Sequence, residues 1–133
     1  MATRQQKNPY KGEPERPWIR VRLATATGTF FELELLADTG NPCALIIGDA
    51  HMAIAKIRDA TDVKSNFGAL KGGRVRIAMP ALGIERVVVA YSSDAVSKAV
   101  KASHSDFDGL AGLPLLRLAK FGGDADYFWF KRR

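Results

Sequence analysis

The residues best suited to catalysis lie in the segment 35–40, which reads Leu-Leu-Ala-Asp-Thr-Gly. An apolar strand here delivers the carboxylate of Asp38 to its end, so a rigid element positions a group suited to general acid–base chemistry. The Thr39 hydroxyl can lock the turn through a hydrogen bond, and Gly40 lets other backbone approach closely. Asp, Thr and Gly are also common in ordinary turns, so the motif alone leaves both interpretations open.

A second segment, 108–116, lies about 70 residues after Asp38 and reads Asp-Gly-Leu-Ala-Gly-Leu-Pro-Leu-Leu. With the Asp-Thr-Gly loop it resembles the retropepsin-like aspartic proteases, single-lobe relatives of pepsin. Those proteins carry Asp-Thr/Ser-Gly after an apolar strand and, later, an apolar–apolar–Gly element that leads into a short helix. The likeness covers about residues 18–130. Ala111 is smaller than the residue usual at its position, so it should give the loop less packing support.

The resemblance implies an aspartic endopeptidase that acts on extended polypeptides without a cofactor or a metal. Two Asp38 carboxylates, one from each chain, would meet at the twofold axis of a homodimer. Two carboxylates about 3 Å apart cannot both carry a charge, so they would share one proton. Thr39 would hydrogen-bond to the opposite loop, Gly40 would contact the substrate backbone, and Asn41 would complete the active-site loop.

The resemblance also implies a flap and a supporting element. The glycine-rich stretch 66–73 would close over the peptide, with Phe67, Gly68, Gly72 and Gly73 as its candidate residues. Leu110, Ala111 and Gly112 would support the catalytic loop. A catalytically silent retropepsin-like module for dimerisation or peptide binding stays open as an alternative, because the flap signature is weak.

Other residue sets suggest other chemistry. Cys43 with His51 or His104 would suit a Cys–His hydrolase, but we expect a buried structural cysteine and two surface histidines. Asp106 and Asp108 are expected to be turn and cap residues, and no Cys/His set has zinc spacing. The pair Gly72-Gly73 before Arg74 lacks a phosphate-loop pattern.

Hydrophobic alternation predicts the elements that position these residues. Strands are predicted over 18–25, 30–36, 44–47, 74–79, 84–91 and 127–130, and helices over 49–60, 95–102 and 113–121. The fold class is therefore mainly β, a closed single-lobe barrel with one to three short helices. The polar, proline-containing segment 1–17 is expected to be a flexible basic arm before a domain over 18–133.

The net charge of +6 is concentrated at the two ends of the chain. Residues 1–22 hold six Lys or Arg against two Glu, residues 131–133 add three more, and the remaining 108 residues carry a net charge of −1. A nucleic-acid-binding domain more often has a basic stripe on its folded face, so nucleic acid is not expected as a partner. A basic barrel that binds RNA through its tails remains the rival interpretation. Residues 1–10 lack an apolar signal core and no apolar run reaches membrane-spanning length, so no membrane association and a cytoplasmic location are expected.

Overall fold

A computed structural model describes residues 4–65, 68–103 and 107–133. Its strands are β1 Gln5–Pro9, β2 Trp18–Ala24, β3 Phe30–Asp38, β4 Leu45–Ile47, β5 Arg58–Ser65, β6 Gly68–Met79, β7 Ile84–Ser92, β8 Gly109–Gly112, β9 Lys120–Gly123 and β10 Tyr127–Lys131. Its helices are α1 Asp49–Ala55, α2 Asp94–Ser103 and α3 Leu113–Leu116, with a 3-10 turn at Pro80–Leu82.

Six of the strands form a closed barrel. They follow one another in the order β2, β3, β8, β4, β7 and β6, and β6 pairs back with β2 through Leu23 and Ile77. Strands account for 55% of the structure and helices for 19%, which confirms the predicted mainly β barrel with a few short helices. Two of the pairings, β3 with β8 and β4 with β7, are parallel.

The barrel core follows from the alternation in the sequence. On β2, Ile19, Val21 and Leu23 are buried while the intervening arginines face solvent. On the neighbouring β3, Leu33 and Leu35 are buried in the same way. Because side chains of a strand alternate between its faces, this spacing commits one face of the hairpin to the core.

Two helix ends differ from the sequence expectation. α1 ends at Ala55, not near residue 60, because the Ile57 backbone N–H bonds to the Arg74 carbonyl at 2.8 Å and the chain continues as β5. α3 ends at Leu116, not at 121, and the segment after it forms β9. In both places strand pairing overrides an apolar run with local helical character, with β6 in the first case and with β10 in the second.

The prediction of a flexible arm over 1–17 is wrong for the described residues 4–17. β1 pairs antiparallel with β10, from Gln5↔Lys131 to Pro9↔Tyr127. The Gln6 side chain bonds both the N–H and the carbonyl of Arg20, at 2.8 and 2.7 Å. This order comes from backbone pairing and amide side chains, so hydrophobic periodicity could not indicate it.

None of the helices in the described ranges has both the length and the apolar character needed to cross a bilayer.

Candidate active site

Asp38 is the last residue of β3, where it lies beside Gly112 of β8 in parallel register. Its carboxylate is half-buried, and Oδ1 accepts a hydrogen bond from the Gly40 N–H at 3.1 Å. The Asn41 N–H closes the same turn on the Asp38 carbonyl at 3.1 Å. Within the described residues this carboxylate forms no ion pair. The loop therefore orients Asp38 without neutralising it.

β8 clamps the loop that carries Asp38. The Gly112 N–H donates to the Ala44 carbonyl and the Leu113 N–H to the Asn41 carbonyl, both at 3.0 Å. A Cβ atom on Gly112 would lie 1.8 Å from the Cys43 carbonyl oxygen, so only glycine lets the loop approach this closely. The sequence-predicted supporting element thus contacts the Asp38 loop through its glycine.

Leu110 and Ala111 pair with Leu36 and Ala37 along the same two strands. Ala111 is fully buried in the barrel core, and Leu110 faces the cavity beside Asp38. The small side chain at position 111 therefore belongs to the core, while the contact with the loop is made by backbone.

A cavity of about 390 Å³ opens beside Asp38. It lies between the Asp38 loop, the barrel wall, α2 and the far end of the β5–β6 hairpin. Its lining is mostly apolar, and of the described residues that line it Asp38 is the one carboxylate and Lys64 the one cation. The residues are Asp38, Gly40, Asn41, Pro42, Cys43, Ile46, Val63, Lys64, Ser65, Leu70, Val96 and Leu110.

The β5–β6 hairpin borders this cavity as the predicted flap would, but with other residues than those expected. Phe67 lies outside the described residues. Gly68 is near the tip of the hairpin with a φ of +93°, and its carbonyl accepts a hydrogen bond from Ser65 Oγ at 2.9 Å. The hairpin residues that line the cavity, Val63, Lys64, Ser65 and Leu70, flank the tip.

Gly72 and Gly73 lie further along β6, away from the cavity that Asp38 lines. Gly72 faces a bulge in β5, where a Cβ atom would lie 2.5 Å from the Thr61 carbonyl oxygen. A Cβ atom on Gly73 would lie 2.8 Å from the Met52 sulfur of α1. These two glycines allow close packing of the hairpin base, which is a structural role.

A second cavity of about 390 Å³ lies on the opposite side of the Asp38 loop, between that loop and α3. Thr39, Pro42 and Arg117 line it and are exposed. Asn41 lines both cavities and is only 9% exposed. Its Oδ1 accepts from the Cys43 N–H at 2.9 Å, whereas its buried Nδ2 has no partner among the described residues.

The sequence also offered two histidines, two aspartates and a cysteine for other kinds of chemistry. His51 packs against the Phe31 ring at 5.4 Å between centroids, and His104 and Asp106 lie outside the described residues. Asp108 Oδ2 accepts from the Glu34 N–H at 2.9 Å, which fits the predicted structural role. Cys43 borders the Asp38 cavity, and burial raises the pKa of its thiol.

Among the described residues, no group of His, Cys, Asp or Glu side chains is arranged to hold a metal ion.

Sequence reasoning missed most of the cavity lining. Ile46, Val96 and Leu70 are buried apolar residues on three separate elements, so nothing in their local sequence distinguishes them from core positions. Val63 and Lys64 lie on β5, whose mostly polar sequence shows little alternation. To predict that Val63 and Lys64 line the cavity, one would have had to recognise β5 as a strand and to know its register with β6.

Comparison with protein-family models, with curated proteins and with solved structures finds no match to this chain.

Proposed function

We propose that this protein is an aspartic endopeptidase. It hydrolyses peptide bonds with a water molecule activated by two Asp38 carboxylates, one from each chain of a homodimer. The observation that carries the proposal is the position of Asp38, at the end of a barrel strand and beside an apolar cavity bordered by a hairpin. Apolar cavities with a few polar groups are typical of ligand sites.

The surroundings of Asp38 support a catalytic role over a purely structural one. A structural Asx turn needs one carboxylate oxygen, and here the Gly40 N–H occupies Oδ1. Among the described residues no donor bonds the second oxygen, Oδ2, which is therefore available to act on a water or a carbonyl group. The β8 clamp holds the loop from behind, so the carboxylate keeps its direction while the cavity beside it takes a side chain of the substrate.

Of the described residues that line this cavity in one chain, Asp38 is the one that carries a carboxylate. An aspartic dyad needs two, so a second copy has to contribute the other. The exposed surface around the second cavity, with Thr39 and Arg117, is adjacent to Asp38 and is the surface proposed to face the partner.

In the proposed dyad the two carboxylates share one proton. The ionised carboxylate removes a proton from water, whose oxygen attacks the carbonyl carbon of the peptide. The protonated carboxyl group donates to the carbonyl oxygen, and the resulting tetrahedral intermediate collapses when the leaving nitrogen takes up a proton. The hairpin over the cavity excludes bulk water during these steps.

The test compares wild type with Asp38→Asn for cleavage of a dye-labelled unfolded protein between about pH 3.5 and 7. We expect acid-leaning activity that a statine-type inhibitor blocks and that Asp38→Asn lowers at least a thousandfold, on the order of other catalytic-group deletions. The amide keeps the Oδ1 acceptor for the Gly40 N–H, so the fold should survive. Asp126→Asn, which changes an exposed aspartate of the β9–β10 turn, is the matched control.

Cleavage that persists in Asp38→Asn would rule out the proposal. If wild type binds extended peptides but does not cleave them at any pH in this range, the chain is the catalytically silent module instead.

A further inference from the structure

The two basic ends of the chain form one sheet. β1 pairs with β10, and β10 pairs on its other edge with β9, so the segments 4–9 and 120–133 lie side by side. Together these segments contain six Lys or Arg and two Asp, so they carry a net charge of +4, compared with +6 for the whole chain. Part of the charge that the sequence places at two separate ends is therefore brought together in one place, here called the terminal sheet.

The terminal sheet has one apolar face and one basic aromatic face. Phe128 and Phe130 point into the core together with Asn8. The alternate residues of β10, Tyr127, Trp129 and Lys131, share the opposite face with their partners across the strands. This outer face consists of Gln5, Lys7, Pro9, Lys120, Gly122, Tyr127, Trp129 and Lys131.

Each aromatic ring of the outer face has a lysine beside it. Lys7 Nζ lies 4.7 Å from the centroid of the Tyr127 ring, and Lys131 Nζ lies 4.6 Å from that of Trp129. Gly122 is opposite Trp129, and a Cβ atom there would lie 2.5 Å from the indole. Glycine at this position thus lets the indole lie against β9. Exposed cation–π contacts are weak, so each ammonium group can exchange its ring for an anion.

A pair of arginines lies at one end of the sheet, where the Arg132 N–H donates to the Arg4 carbonyl at 3.0 Å. A Cβ atom on Gly83 would lie 2.9 Å from Arg4 Nη1 and 3.1 Å from Arg132 Nη1, so the two guanidinium groups converge on one point. Neither arginine forms an ion pair in the part of the chain that the structure describes. By strand alternation Arg4 and Arg132 follow the side of the sheet that Phe128 and Phe130 face, so they add positive charge at its end without belonging to the outer face.

We propose that the outer face of the terminal sheet binds single-stranded nucleic acid. Bases stack on Trp129 and Tyr127, and phosphates contact Lys7, Lys120 and Lys131. Alternation of rings and cations matches a ligand that alternates planar groups and negative charges. From Tyr127 to Lys131 the strand spans about 13 Å, enough for about two nucleotides.

Charge favours this ligand over a second copy of the chain. Two outer faces placed against each other would oppose Lys7, Lys120 and Lys131 of both copies, and like charges across an interface are repulsive. The inference differs from the sequence-based expectation of no nucleic-acid partner, which depended on the separation of the two basic ends along the chain. It does not depend on the proposed peptidase activity.

The test measures binding of fluorescein-labelled oligo(dT) and oligo(U), each of about 15 nucleotides, by anisotropy at about 50 mM and about 200 mM NaCl. We expect wild type to bind both and to weaken with salt. Trp129→Ala should weaken binding about tenfold without changing the salt slope, because it removes stacking only. Lys7→Glu/Lys131→Glu should reduce both the affinity and the slope.

The matched control is Lys98→Glu/Lys101→Glu, which makes the same charge change on exposed positions of α2. It should bind like wild type. Intrinsic fluorescence gives a second readout, because Trp18 is buried and Trp129 is on the outer face. Saturating oligonucleotide should quench the wild type, and Trp129→Phe should remove most of that quenching.

Several outcomes would overturn the proposal. One is no binding at the lower salt concentration, and another is equal weakening by the two double lysine variants, which would show non-specific polyanion exchange. Binding of poly-glutamate as tight as that of the oligonucleotides, with no effect of Trp129→Ala, would assign the face to acidic protein segments. Dissociation of a dimer by Lys7→Glu/Lys131→Glu without oligonucleotide would assign it to a second copy.

Discussion

Asp38 and Cys43 both line the cavity of the candidate active site, but their side chains differ in their suitability for catalysis. Asp38 presents a carboxylate to the cavity, and among the described residues the Gly40 N–H donates to that carboxylate. Cys43 borders the same cavity, and burial raises the pKa of its thiol. Since the thiolate is the nucleophilic form, the raised pKa leaves Cys43 mainly protonated near neutral pH. Asp38 is therefore the better candidate for a catalytic group. Cys43 can instead report, through its rate of alkylation, how accessible the cavity is.

Alkylation of Cys43 by iodoacetamide should be slower than that of glutathione at about pH 7.5 and should rise about tenfold per pH unit until the thiol ionises. The chain has one cysteine, so mass spectrometry reports this site alone. In the Asp38→Asn variant, excess extended peptide should slow the reaction further, because the peptide fills the cavity that Cys43 lines. A rate equal to that of glutathione and insensitive to peptide would contradict this description of the cavity.

At the scale of elements, the site depends on how β8 meets the Asp38 loop. The backbone carbonyls of Asn41 and Cys43 occupy the space that a side chain at position 112 would need. Gly40 lies in the same loop but has room around it, since a Cβ atom there would lie 3.4 Å from its nearest neighbour, Asp38 Oδ1. Neither Gly40 nor Gly112 has a positive φ, so backbone strain does not separate the two positions.

Substitution by alanine should have different effects at these two glycines, on stability at Gly112 and on peptide cleavage at Gly40. Gly112→Ala should lower the free energy of unfolding by about 3 kcal/mol, because the new methyl group overlaps loop backbone. Gly40→Ala should change it by less than about 0.5 kcal/mol, yet it should reduce peptide cleavage because the methyl group intrudes beside Asp38. Urea unfolding measures the first effect and the cleavage assay the second. Equal stability of the two variants would contradict the proposed clamp.

At the scale of the whole molecule, one barrel provides half of the proposed catalytic dyad. The Thr39 and Arg117 surface lies beside Asp38 and is available to a partner, whereas the terminal sheet carries a concentration of like charge. The molecule thus has one face proposed for self-association and another proposed for a polyanion. The two proposals concern different residues and can fail separately.

Mixing wild type with an equal amount of Asp38→Asn should reduce the peptidase activity to about one half once subunits exchange. Half of the wild-type chains are then in mixed dimers, which hold one Asp38 carboxylate where the dyad needs two. The activity per wild-type chain should also fall on dilution. Adding Asp126→Asn instead should cause no loss. Undiminished activity with a large excess of Asp38→Asn would mean that a single chain is sufficient.

Much of the barrel was predictable because its strands alternate strongly. β2 and β3 lie where period-two patterns predict strands, and the turn between them contains the expected glycine. β7 and β10 lie where apolar and aromatic runs predict them. β1, β5 and β9 were not predicted. Their side chains are mostly polar or small. β1 is ordered by pairing with β10 at the other end of the chain, and β5 and β9 each pair with the strand that follows in a hairpin.

By itself, the sequence determined the type of chemistry that Asp38 can perform and the strand that carries it, because residue identity and short-range alternation are local properties. It also determined which segments meet at the site, through the glycine-ended run that closes on the Asp38 loop. Only the tertiary structure decided which residues line the cavity and that Gly72 and Gly73 serve packing. It likewise decided that the two basic ends form one sheet, since strand pairing joins residues without regard to their separation along the chain.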